Sequence, residues 1–373
     1  MRRLLPLILL VVILAPSTAL ADGCPPSSCG STSSAIPGSS IVLVRPNGQF
    51  GPLQAYDVRT GQRRFALPPG VLSADGRTFV AAVAPKANRT TVVRYDARSG
   101  KLLRGWSLRA RWSAAALSAD GRHYALAHYW RRGIALRIGR STSALRGAYD
   151  VEALSPDGRK VFLVHWKRNG YDLQQLDLAT NKLTPTRLDE PDEKMTGQAT
   201  TAVATRDGHW LLTLYSKSDR HSFVHALDLR TGLAHCIDLP LVGDIFTIGS
   251  TALTLSPDES KLYLASPYIG RVATIDLATL DVTDVRRFRG PSTYEVNTII
   301  GPSAAVTPNG RMLAFSAGKL VWLYDAAFGV VRKATSVRSA VTGLGFDPDG
   351  RRLLVLQRLG EPVFLDAATG ERR

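Results

Sequence analysis

A six-residue turn signature recurs seven times along this 373-residue chain, and that repetition limits the fold more than any other feature. Its clearest copies are Leu72-Ser73-Ala74-Asp75-Gly76-Arg77, Leu117-Ser118-Ala119-Asp120-Gly121-Arg122 and Leu154-Ser155-Pro156-Asp157-Gly158-Arg159. Divergent copies begin at Ala204, Leu255, Val306 and Phe346, giving intervals of about 37 to 51 residues. The aspartate caps the turn with its side chain, and the glycine accepts a positive φ, so the chain reverses as a hairpin. An apolar run follows each turn, at Phe79 to Val83, Tyr124 to His128, Val161 to His165, Trp210 to Tyr215, Leu262 to Ser266, Met312 to Ser316 and Leu353 to Gln357. Runs so continuously apolar belong to strands covered on both faces.

A second signature lies one strand further on, an aspartate two or three residues before Thr-Gly or a relative of it. It occurs at Asp57, Asp96, Asp177, Asp228, Asp276, Asp325 and Asp366. Each unit therefore reads strand, turn, strand, loop, strand, turn, strand. Four antiparallel strands in a repeat of this length make one blade of a β-propeller, an all-β ring. Seven copies of the first signature predict a seven-bladed β-propeller. In that arrangement the amino-terminal piece from Ile41 to Leu67 shares a blade with the strands from Val341 to Asp366 and closes the ring by pairing the chain ends. Eight blades are the alternative count.

Together the two signatures resemble those of the YVTN-type and WD40-like propellers of the quinoprotein amine dehydrogenase superfamily, over essentially all of residues 41 to 373. The resemblance implies the fold and leaves the activity open, because such propellers include scaffolds, binding proteins and a few enzymes. The Trp-Asp dipeptide of true WD40 repeats is absent.

The first residues point to export. Arg2 and Arg3 precede an apolar run from Leu4 to Leu14, and Ala19-Leu20-Ala21 has the form of a cleavage site, so residues 1–21 read as a signal peptide. The apolar core is too short to span a bilayer, for which roughly 20 residues are needed. Residues 22–40 read as a flexible segment and 41–373 as a single, monomeric propeller, placed outside the cell or in its envelope. Cys24 and Cys29 can close a small loop in an oxidising compartment, whereas Cys236 lies in an apolar stretch and reads as a buried thiol. The formal charge of +16 becomes 47 − 2 − 31 = +14 once Arg2 and Arg3 leave with the signal. Such a surface favours anionic partners. The abundance of Arg and Ala also fits a GC-rich bacterial genome, and no compact basic run marks a specific nucleic-acid site.

Candidate sites fall on one face of the ring. Glu193-Lys194-Met195-Thr196, Asp244-Ile245-Phe246-Thr247 and Glu295-Val296-Asn297-Thr298 align at a 51-residue step. Glu193, Asp244 and Glu295 are therefore candidate ligands of a hard metal such as Ca²⁺, with Thr196, Thr247 and Thr298 beside them. In the alternative the acids and threonines satisfy loop backbone N–H groups. Loops between second and third strands add Lys86, Arg89, Arg131, Arg132, Lys167, Arg168, Lys217, Arg220, Arg271, Lys319 and Arg358, a cationic rim. Two of them carry His128-Tyr129-Trp130 and His165-Trp166, making His128 and His165 the candidate acid–base residues. The G-x-S-x-G, H-E-x-x-H and C-x-x-C-H motifs and a phosphate-binding glycine loop are all missing. The reading favoured by these residues is an exported, non-catalytic propeller that binds a protein or an anionic envelope polymer. The alternative is a propeller enzyme, lactonase-like or quinone-linked, with a metal at the channel mouth.

Overall fold

The computed structural model describes residues 33–36, 38–45, 51–86, 88–168, 170–189, 195–291 and 302–373. Eight antiparallel sheets follow one another along the chain, so the ring is an eight-bladed β-propeller, the alternative of the two counts. The blades span residues 33–67, 70–109, 113–146, 148–185, 198–239, 252–287, 304–336 and 341–366. Seven have four antiparallel strands, and blade 5 carries in addition Arg187–Leu188, paired parallel to its outer strand Leu233–Leu239. Blade 8 has three named strands, and a bridge from Leu365 to Arg372 stands where its outer strand would lie.

The first blade corrects the expected closure. Its innermost strand is Ser33–Ala35, upstream of the expected boundary at Ile41, and it pairs with Ile41–Val44. The amino-terminal piece thus completes its own sheet and has no need of strands from blade 8. The connection between them has no Asp-Gly pair: the Ile36 N–H donates to the Ile41 carbonyl, and Ser39 Oγ to the Ile36 carbonyl. Among the described residues the ring closes by side-chain packing, as Val42, Val44 and Val58 meet Leu354 and Leu356.

Both signatures do what their residues dictate. In the first, Ser73 Oγ donates to Asp75 Oδ1 at 2.6 Å and accepts from the Thr78 N–H at 2.9 Å, and Gly76 takes φ of 69°. The same geometry recurs at Ser118, Ser155, Ser256 and, with Asn309 in place of aspartate, Thr307. In the second, Asp96 Oδ1 accepts from the backbone N–H groups of Arg98 and Ser99. The two turns of a blade are tied together, for instance by the Ala97 N–H donating to the Arg77 carbonyl, and therefore share one face. The opposite face is left to the loops between second and third strands and to the connections between blades.

The core is divided as the ring is. Eight apolar clusters among the described residues each join two neighbouring blades. Every seam is thus a small hydrophobic core between two sheet faces, which is why the second strands are apolar on both sides. Cys236 is half-buried at the seam of blades 4 and 5, its Sγ 3.8 Å from Met195 Sδ. No helix among the described residues is long and apolar enough to cross a membrane.

Candidate ligand-binding face

The loop face is assembled from short, internally bonded segments. Between blades 2 and 3, Thr90 Oγ1 donates to the Ala110 carbonyl at 2.8 Å and accepts from the Trp112 N–H at 2.9 Å. Ala110 takes φ of 71°, and Trp112 Nε1 donates to the Arg109 carbonyl at 2.7 Å. Arg109 and Arg111 are held outward and exposed by this knot. His128 Nδ1–H donates a 2.6 Å hydrogen bond to the Arg111 carbonyl, which fixes the proton on that ring nitrogen. Its ring packs against Trp112 and Trp130 with centroids 5.7 and 6.4 Å away.

The neighbouring loop repeats the theme. Trp130 lies over Gly133, where an added Cβ would meet the indole at 2.6 Å, so the glycine is what lets the ring fold back. Tyr129 and Trp130 nevertheless stay 50% and 39% exposed, beside exposed Arg131 and Arg132. In blade 4, His165 stacks on Tyr149 with centroids 4.3 Å apart, and Trp166 Nε1 donates to Asp150 Oδ2 at 2.7 Å. Each candidate histidine is thus engaged in its own aromatic setting. Among the described residues His128 keeps to Trp112, Trp130 and the Arg111 carbonyl and His165 to Tyr149, so the imidazole pair expected from their matching positions is not formed.

The cationic rim is uneven. Lys167 pairs with Asp172, Lys217 Nζ sits 4.7 Å from the Phe223 ring centroid, and Arg271 Nη1 donates to the Pro240 carbonyl. Arg220, Lys319 and Arg358 are exposed singly around the rest of the ring. Arg89, Arg109, Arg111, Arg131, Arg132 and Arg168 concentrate on blades 2 to 4, exposed and in no ion pair with a described carboxylate. Most described aspartates are on the other face, bound into turns, and so leave this arc of charge uncancelled.

Of the expected oxygen ligands, Glu193, Glu295 and Thr298 lie outside the described residues. Thr196 is half-buried in irregular chain ahead of the strand Gln198–Ala204. Asp244 instead starts a short helix, Ile245–Gly249: its Oδ1 accepts from the Thr247 N–H at 2.8 Å and from Thr247 Oγ1 at 2.7 Å. Those bonds from Thr247 hold its carboxyl below the usual carboxylate range. This is the N-cap use of aspartate and threonine. Among the described residues no three His, Cys, Asp or Glu side chains are grouped to hold a metal. Asp244→Ala is accordingly expected to cost about 1 kcal/mol of stability, the worth of a lost cap, equally in EDTA and in excess Ca²⁺; a calcium-dependent difference in thermal midpoint would restore the metal reading.

One group escaped the sequence reading. Glu152, on the innermost strand Ala148–Leu154 of blade 4, is fully buried. Its Oε1 accepts from Thr213 Oγ1 of blade 5 at 3.3 Å, while Oε2 has no hydrogen-bond partner among the described residues. Aligning the blades on their first signature would have found it. The equivalent positions are Gly70, Ala115, Ala202, Leu253, Ala304 and Leu344, none of them polar.

No known family matches the chain at the level of sequence, and no curated protein matches it. Solved structures match at the level of fold. The dihydro-heme d1 dehydrogenase NirN, in complex with DHE, is similar with a TM-score of 0.54 and 18% identity, over 90% of this chain and 72% of that one. The Dos1 propeller is similar with a TM-score of 0.54 and 14% identity, over 91% of this chain and 93% of that one. Hydrazine synthase of Kuenenia stuttgartiensis has a TM-score of 0.43 and 13% identity, over 80% of this chain and 94% of that one. At these identities what the chain shares with NirN and the Dos1 propeller is the β-propeller fold.

Proposed function

We propose that this chain is an exported, non-catalytic propeller of the YVTN type that binds an anionic envelope polymer through the loop face of blades 2 to 4. The observation that supports it is the arc of exposed arginines around Trp112, Tyr129 and Trp130. Guanidinium groups supply long-range attraction and forked hydrogen bonds to carboxylate or phosphate. Flat, half-exposed rings supply contact area at small entropic cost. The fold itself decides nothing here, since one of its structural neighbours is named as a dehydrogenase and another simply as a propeller.

A titration against purified teichoic acid tests this. Replacing Arg131 and Arg132 together by glutamate is expected to weaken binding at least about tenfold, equivalent to ~1.4 kcal/mol. Arg77→Glu, on the opposite face, is expected to change it little. Wild-type affinity should also fall as salt rises, because exposed charges are screened beyond a Debye length of about 8 Å at physiological ionic strength. Equal binding by the two variants, or binding indifferent to salt, would remove the loop face from the proposal.

A further inference from the structure

Among the described residues the clusters between blades are built of apolar side chains, and the seam of blades 4 and 5 also holds a buried carboxyl group. Glu152 enters it at a β-bulge, where Val151 and Ala153 pair with consecutive residues of the next strand and Glu152 is the extra residue. The bulge turns its side chain across to Thr213, on the second strand of blade 5, Trp210–Ser216. That single neutral hydroxyl is a thin reward for removing a carboxylate from water. Asp150 approaches from the same strand, and a second negative charge makes ionisation harder still. From blade 5 the titratable groups facing the seam are Tyr215, His225 and Cys236, the last two in line with Thr213 across the sheet, and from blade 4 Tyr171. None is a lysine or arginine.

We infer that the seam between blades 4 and 5 is a proton-dependent joint, closed while Glu152 is a neutral acid and loosened when that group ionises. Burial pushes the Glu152 carboxyl up from its ordinary value of 4.5 to about 7. The sign follows from linkage: between those two values the folded chain keeps a proton that the unfolded chain releases, so stability falls as pH rises through that window. The joint is not isolated from the loop face, since the strand bearing Glu152 also bears Tyr149 and Asp150.

Hydrogen exchange on the full chain, corrected for intrinsic rates, reads the joint directly. Between pH 5.5 and 8.5, protection of the strands Ala148–Leu154, Gln198–Ala204 and Trp210–Ser216 is expected to fall by about thirtyfold, the roughly 1.5 pKa units of the window that lie above pH 5.5. Blade 7, with Met312–Ala317 as reference, is expected to hold its protection. Glu152→Gln keeps the shape and removes the titration, so in that variant the difference between the two pH values should vanish. Unchanged seam protection in the wild-type chain overturns the inference, whether or not the variant folds. So does an equal loss of protection in the variant and the wild type. Neither outcome depends on what the loop face binds.

Discussion

Trp322→Ala is expected to lower the unfolding free energy by about 3–5 kcal/mol, the upper range for truncating a buried aromatic side chain. Trp322 stands on the third strand of blade 7 and is only 2% exposed. It stacks on Phe315 with centroids 5.7 Å apart and rings 8° from parallel, and Phe288 closes the cluster at 6.0 Å. Tyr263, Ala265 and Val272 of blade 6 form the opposite wall. All of those neighbours but Phe288 are fixed in a sheet, so the hole left by the indole collapses little, and lost contacts add to lost burial. Urea denaturation measures the effect, with Trp130→Ala as the exposed comparison, expected to shift stability by less than about 1 kcal/mol. A loss for Trp322→Ala no larger than that of Trp130→Ala would mean that the seam of blades 6 and 7 is not packed as described.

The second large effect concerns ring closure. Gly343, on the innermost strand of blade 8, faces Val44 of blade 1, and an added Cβ would stand 2.7 and 2.8 Å from the two valine methyls. Gly345 is similarly crowded by Val58 and Val42. Two sheets approach here more closely than any side chain at these positions permits, which is the reason for glycine in a strand otherwise built to be apolar. Gly343→Val is expected to cost about 3 kcal/mol, the top of the range for overpacking a core, with faster proteolysis of blades 1 and 8 than of blade 5. Gly105→Val, in an outer strand where an added Cβ meets nothing closer than 3.5 Å, is the comparison and should be near neutral. Equal stability of the two variants would show that blades 1 and 8 are not in contact as the closed ring requires.

What could be read in the sequence was what neighbouring residues decide among themselves. Turn geometry needs only the serine, aspartate and glycine of one hairpin, so all seven apolar runs after the first signature fall within observed strands. The blade count needed one more comparison. Each signature counts seven, but the first is missing from blade 1, where Gly38-Ser39-Ser40 lies in the turn, and the second from blade 3, where Gly139-Arg140 makes it. Taking the union of the two gives eight. The loop face was less accessible because equal spacing does not impose equal conformation: Asp244 and Thr247 cap a helix, whereas Thr196, at the same step, lies in irregular chain. Trp112 and Tyr149 were missed because only the fold brings them against His128 and His165. Arg131, Arg132, Lys167 and Arg168 were legible as charge, and the pairing of Lys167 with Asp172 was not.

Because the last seam is a dry contact between two self-sufficient sheets, with no strand lent from one chain end to the other, no blade holds a privileged position in the circle. A gene encoding such a molecule can gain or lose a whole unit by unequal recombination without stranding a partnerless segment. What limits the number of units is then the wedge angle that the side chains at each boundary set, and with it the width of the central opening.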